Sequence, residues 1–167
     1  MRVFLVGFMG AGKSTTGRAL ARRLGCLFAD LDGRVEARFG LDVAEIFRRL
    51  GEPVFRAEET RQLAARGRYA DLVVATGGGT FAAEANRALI AGLGVSVFLD
   101  VPWEQVLRRL PGKRAERPLF ATPEAALELY RVRLPFYRAA DLQVRPEPGE
   151  DAEALAGRLL MLLGERA

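Results

Sequence analysis

The sequence predicts an α/β domain built on a five-stranded parallel sheet flanked by helices. Three observations carry this. Short apolar runs alternate with longer stretches of helical periodicity along the 167 residues, the pattern of repeated strand–helix units. Two of the runs, Val73-Val74-Ala75 and Val95-Ser96-Val97-Phe98-Leu99, are almost continuously apolar, as in strands covered on both faces. The first run, Val3 to Val6, leads directly into Gly7-Phe8-Met9-Gly10-Ala11-Gly12-Lys13-Ser14-Thr15, a G-x-x-x-x-G-K-[ST] pattern in the strand-then-helix setting that gives it meaning.

Strands are expected near 2–6, 27–30, 72–75, 95–100 and 141–145, and helices near 13–24, 32–39, 43–50, 53–66, 81–91, 103–110, 124–138 and 151–163. After the first strand, glycines at 7, 10 and 12 let the backbone curl until several N–H groups face one concavity. The helix starting near Lys13 adds its positive end to that spot. Lys13 then reaches the β- and γ-phosphates of a nucleoside triphosphate, and the Ser14 hydroxyl a Mg²⁺ ion. After the second strand stand Asp30 and Asp32, two apart, so that on an extended strand end they share a face beside the phosphates; Asp32 also reads as an N-cap for a helix beginning at Gly33.

The third strand is followed by Thr76-Gly77-Gly78-Gly79-Thr80, where three glycines suggest backbone that faces a ligand. Asp100, after the fourth, reads as a helix N-cap. The irregular stretch 111–123 is Arg/Lys-rich and bounded by prolines, the profile of a mobile lid. Arg56 and Arg133 have forks suited to a carboxylate, but composition gives no reason to choose them from 23 arginines.

Composition narrows the function classes. Half the residues are apolar and the mean hydropathy is +0.05, so a single domain spanning 1–167 is expected. No apolar run approaches the ~18–20 residues of a membrane span, and the chain enters strand pattern at once; a cytoplasmic protein without a membrane partner is expected. The lone Cys26 reads as a small apolar residue at the end of the first helix. Despite the pI of about 9.8 and a net charge of +4, the arginines are scattered among glutamates at helical spacing, which argues for solvated helix faces and against a nucleic-acid surface. Histidine is absent, which removes Ser-His-Asp, Cys-His and His-zinc chemistry.

Six segments taken together resemble the shikimate kinases over essentially the whole chain: GFMGAGKSTTGRALA at 7–21, FADLDGRVEARFG at 28–40, IFRRLGEPVFRAEE at 46–59, VVATGGGTF at 73–81, ERPLF at 116–120 and RLPFYRAADL at 133–142. The resemblance implies a P-loop NTPase fold of the nucleoside monophosphate kinase type, with a lid at about 111–123 and a substrate-binding helical region at about 32–66. It implies ATP-dependent phosphorylation of the shikimate 3-hydroxyl by a monomeric enzyme using Mg²⁺. Gluconate and nucleoside monophosphate kinases are the alternative.

Roles carry over by position. Gly10, Ala11, Gly12, Lys13, Ser14 and Thr15 match the nucleotide-binding loop, with Lys13 catalytic. Ser14 and Asp30 match the magnesium site. Asp32 matches the carboxylate that bonds the shikimate hydroxyls and can accept the proton. Arg56 and Arg133 match the clamp on the shikimate carboxylate, Gly78 and Gly79 its backbone contacts, and Phe47 and Phe55 the apolar pocket lining. Arg117 matches the lid arginine that meets the transferring phosphate. For the adenine, Arg108 and Arg109 both stand near the family position, with Arg109 preferred, and Arg145-Pro146 falls on the second wall as a weaker match. The third strand ends without the Mg²⁺-linked aspartate of many phosphate-loop proteins, which puts more weight on Asp30.

Overall fold

A computed structural model describes residues 1–110 and 122–165. The element order is β1 (Arg2–Val6), α1 (Lys13–Leu24), β2 (Leu27–Asp30), α2 (Leu31–Phe39), α3 (Val43–Leu50), α4 (Glu52–Ala64), β3 (Leu72–Ala75), α5 (Glu84–Leu93), β4 (Val95–Leu99), α6 (Trp103–Arg109), α7 (Pro123–Tyr137), β5 (Leu142–Val144) and α8 (Ala152–Gly164). Short 3₁₀ turns follow α4 (Ala65–Arg68) and precede α5 (Thr80–Ala82). The strands form one parallel sheet in the order β2-β3-β1-β4-β5. Of the lid expected at 111–123, the part at 111–121, including Arg117, lies outside the described residues; Thr122 accepts the Ala125 N–H and caps α7.

Strand position explains strand composition. Central β1, β3 and β4 are buried along almost their whole length, whereas the edge strands β2 and β5 alternate with exposure. Helix α1 packs closely on the sheet at Gly17, where a Cβ would stand 2.6 Å from the Phe28 ring. Cys26, half-buried in the bend after α1, packs against the main core as expected. A smaller core of Val35, Val43, Ile46 and Phe55 joins α2, α3 and α4 into a separate helical lobe beside the sheet. Among the described residues no helix is long and apolar enough to cross a membrane.

Two capping expectations need correction. The helix after β2 begins at Leu31, not Gly33: Asp30 is its N-cap and accepts the Gly33 N–H, and Asp32 sits in the first turn. The two aspartates therefore do not share an extended strand end. Asp100 does not cap α6, whose N-cap is Pro102; its carboxylate pairs with Arg145 Nη2 at 3.0 Å.

Gly94, between α5 and β4, tests the packing. A Cβ there would lie 2.3 Å from the Arg2 carbonyl oxygen, a backbone atom that cannot swing aside, whereas a Cβ on Gly92 meets nothing within 4 Å. Gly94→Ala is expected to destabilise the protein by about 1–3 kcal/mol through overpacking. Gly92→Ala should not, since alanine suits a helix better. Thermal melts of both variants check this, and equal melting temperatures would contradict it.

Candidate active site

Everything the sequence selects for chemistry, within the described residues, collects at the carboxyl ends of the strands, where open parallel sheets bind ligands. The 7–12 loop leaves β1 with Gly7, Gly10 and Gly12 at φ 142°, 76° and 88°, conformations that side chains with a Cβ rarely adopt. The loop's floor is aromatic. Phe8 is buried edge-on against Trp103 of α6 and Tyr130 of α7, at centroid distances of 6.3 and 5.4 Å. Lys13 is 9% exposed, and its Nζ donates to the carbonyl oxygens of Gly7 (2.8 Å) and Phe8 (2.9 Å), so the ammonium lies folded along its own loop.

A cleft of about 960 Å³ opens above this loop. It is lined by Gly10, Ala11, Gly12, Lys13, Ser14 and Thr15, by Asp30, Asp32 and Gly78, and by Arg109 and Pro146. Ser14 Oγ donates to Asp30 Oδ2 at 2.5 Å, which brings two hard oxygen donors to one point at the N-terminal end of α1. Such a pair suits Mg²⁺, which takes one or two protein oxygens and completes its shell with phosphates and water. Arg109 Nη1 donates to the Gly10 carbonyl at 2.8 Å, which favours Arg109 over Arg108 as the residue beside the loop. Arg145 does not line the cleft: its guanidinium is on Asp100 and its carbonyl accepts from Arg158. Arg18, overlooked in the sequence, lines the cleft with its guanidinium 4.6 Å from the Phe28 ring centroid.

The three glycines after β3 form the hub of a second cluster. A Cβ on Gly77 would sit 2.6 Å from both Asp32 Oδ1 and Glu59 Oε1, and one on Gly79 would fall 2.6–2.7 Å from the Arg56 guanidinium. A Cβ on Gly78 would come within 3.4 Å of Arg133 Nη1. Four charged side chains from α2, α4 and α7 thus close on backbone that carries no side chain of its own. Arg56 donates to Glu59 Oε2 at 3.0 Å and, through Nε and Nη2, to Glu52 Oε1 at 3.1 Å. Its guanidinium also lies 5.2 and 5.9 Å from the rings of Phe55 and Phe47, which pack on each other at 5.0 Å.

Glu59 has no solvent exposure, and its Oε1 accepts from the Thr80 hydroxyl at 2.7 Å. Burial raises its carboxyl above the usual glutamate value; Arg56 and Thr80 oppose the shift and Asp32 adds to it. Burial works against the Arg56 charge, yet Glu59 and Glu52 outweigh it and raise that group. Arg133, 8% exposed, is lowered by burial, with Tyr137 the largest opposing influence. Glu59, Thr80 and Tyr137 are part of the site that sequence reasoning missed. The signals were present: Glu59 is one helical turn from Arg56, and Tyr137 one turn from Arg133.

A glycine-rich loop below an open cleft, a buried lysine, and a five-stranded parallel sheet define a P-loop phosphotransferase fold. A family profile described as shikimate kinase matches residues 9–163. A shikimate kinase from Ruegeria pomeroyi is 42% identical over 98% of this chain and 85% of its own length. Another from Geobacter sulfurreducens is 47% identical over 85% of this chain and 80% of its own. Among solved structures, a shikimate kinase from Acinetobacter baumannii in complex with shikimate superposes with TM-score 0.93 at 35% identity, covering 99% of this chain and 93% of that one. A deoxyadenosine kinase from M. mycoides, at TM-score 0.62 and 14% identity over the full length of both chains, shares the fold. The chain belongs to the shikimate kinase family.

The glycine hub generates a direct test. Gly77→Ala forces a methyl carbon against two carboxylate oxygens at once. A loss of about 1–3 kcal/mol is expected, or roughly 2–4 °C per kcal/mol in melting temperature for a domain of this size. Turnover should fall at least tenfold in the fraction that stays folded. Wild-type turnover in Gly77→Ala would mean that Asp32 and Glu59 need not approach this backbone.

Proposed function

We propose that this chain transfers the γ-phosphoryl group of ATP to the 3-hydroxyl of shikimate, giving shikimate 3-phosphate for aromatic amino-acid biosynthesis. One observation carries the reading beyond family membership: Arg56, Arg133 and Asp32 converge on the glycine turn at 77–79, next to the loop that holds Lys13 and Ser14. Two guanidiniums beside a carboxylate suit an acceptor bearing both an anionic group and hydroxyls, with the hydroxyls turned toward the phosphate site.

Phosphoryl transfer needs alignment and charge neutralisation more than covalent help. In this reading the loop N–H groups hold the phosphates and Lys13 swings from its loop carbonyls to the β- and γ-oxygens. Asp32 bonds the acceptor hydroxyl and takes its proton. Arg56 and Arg133 grip the remote carboxylate, so that its binding energy orients the reacting hydroxyl. Gly78 and Gly79 add backbone contacts, Phe47 and Phe55 form the apolar wall, and Arg109 and Pro146 flank the adenine. Ser14 and Asp30 would hold Mg²⁺, which supplies positive charge across the β- and γ-phosphates when bound. Arg117 takes the transferring phosphate by its match to the family's lid arginine. The reading includes a monomeric, cytoplasmic enzyme.

The experiment is ADP release with shikimate, set against gluconate and nucleoside monophosphates. Turnover only with shikimate is expected; preference for another acceptor would overturn the assignment. The clamp makes a sharper prediction. Arg56→Lys and Arg133→Lys keep the charge but lose the fork, so KM for shikimate should rise roughly ten- to a hundredfold, about 1.5–3 kcal/mol per lost charged hydrogen bond, with KM for ATP little changed. Steady-state kinetics with each substrate varied in turn checks both halves.

A further inference from the structure

Tyr137 stands outside every role assigned so far, yet its hydroxyl touches two of them. It lies one helical turn after Arg133 on α7, the spacing at which side chains on one face meet. Its ring has no solvent exposure and stacks on Phe98 of β4, with centroids 5.4 Å apart and planes 29° apart, so the core fixes where the hydroxyl points. The hydroxyl donates to the Gly78 carbonyl. A Cβ on Gly78 would lie 3.4 Å from Arg133 Nη1 and 3.9 Å from this hydroxyl, so guanidinium and hydroxyl flank the same glycine. Between the two residues Pro135 interrupts the helix interior, removing one backbone N–H from the turn that carries both. The backbone alone therefore holds this turn less firmly than an unbroken helix would.

We infer that Tyr137 is a positioning residue for acceptor binding: its hydroxyl locks the Arg133 fork to the glycine turn, so that guanidinium and backbone present one preset surface to the substrate carboxylate. Without the hydroxyl, Arg133 keeps its charge but must be ordered during binding, a cost that appears as weaker affinity. Burial pushes the phenol up to about 12, so the hydroxyl remains a donor throughout the working pH range. The inference rests on the shikimate kinase reading above.

The test is Tyr137→Phe, which removes one oxygen and leaves the ring. KM for shikimate should rise about tenfold, with kcat and KM for ATP within about twofold of wild type. In an Arg133→Lys background the same substitution should add less than about twofold, because residues acting through one another are not additive. Shikimate methyl ester, which lacks the carboxylate charge, should lose nothing further in Tyr137→Phe. Should Tyr137→Phe lose its cooperative thermal transition, 3-fluorotyrosine placed at 137 keeps ring and hydroxyl while weakening the oxygen as an acceptor, and KM for shikimate must still rise. Unchanged KM in a folded variant, or full additivity with Arg133→Lys, overturns the inference. Absence of shikimate turnover in the wild type would instead overturn the functional reading on which it rests.

Discussion

A carboxylate with no access to water must be paired, and the pairing of Glu59 organises the cluster around the glycine turn after β3. Removing one partner of a buried ion pair costs about 3–5 kcal/mol, because the other charge is left uncompensated. Glu59 meets this demand with Arg56 on its own helix and Thr80 on the turn after β3. Thr80 is in turn fixed through its carbonyl by Asn86 Nδ2, whose oxygen accepts from Thr60. This closed circuit joins α4, α5 and the β3 turn through polar atoms alone. It sets the height of Arg56 above the sheet, and it explains the glycines: any side chain at 77 or 79 would occupy the volume the charged groups need. The only asparagine of the chain thus has a structural duty in a place where its neighbours in sequence suggest nothing more than a helix start.

The arginines divide into two populations that the sequence does not separate. Some, such as Arg48 and Arg49, make helical pairs with Glu45 toward solvent, which contribute little to stability. Others satisfy backbone carbonyls that no secondary structure reaches. Arg2 donates to the carbonyls of Leu93, Gly67 and Tyr69, and Arg87 to those of Phe81 and Ala82. Guanidinium suits this task because its donors fan out in one plane and stay charged at any physiological pH. The basic composition therefore reflects internal fastening as much as solvated surface.

How much could be read in advance follows the range of the interaction involved. All five strands and the main helices stand within a few residues of their expected limits, because alternation and apolar runs are local signals. The loop at 7–15 was legible for the same reason. Asp30 and Asp32 line the cleft, but the chain carrying them is helical where an extended end was expected, because the Asp30 carboxylate accepts the Gly33 N–H. Arg56 and Arg133 could be chosen from 23 arginines only through resemblance, and Glu59 and Tyr137, though one helical turn from them, were passed over. Their significance arises where α4 and α7 meet the glycine turn, a contact between residues far apart in the chain. The Asp100–Arg145 pair was missed because it too spans distant segments.

The aromatic floor of the loop has an optical consequence. Trp103 is the sole tryptophan, and it sits against Phe8 and against Tyr130, 5.4 Å from the latter ring centroid. Phe8 belongs to the loop itself, Trp103 opens α6 and Tyr130 lies midway along α7. Indole emission from the folded chain therefore has a single, known origin, directly beneath the curled backbone of the 7–12 loop. No dye or engineered label is needed: the protein is wired so that a change in the loop alters the surroundings of its one strong chromophore.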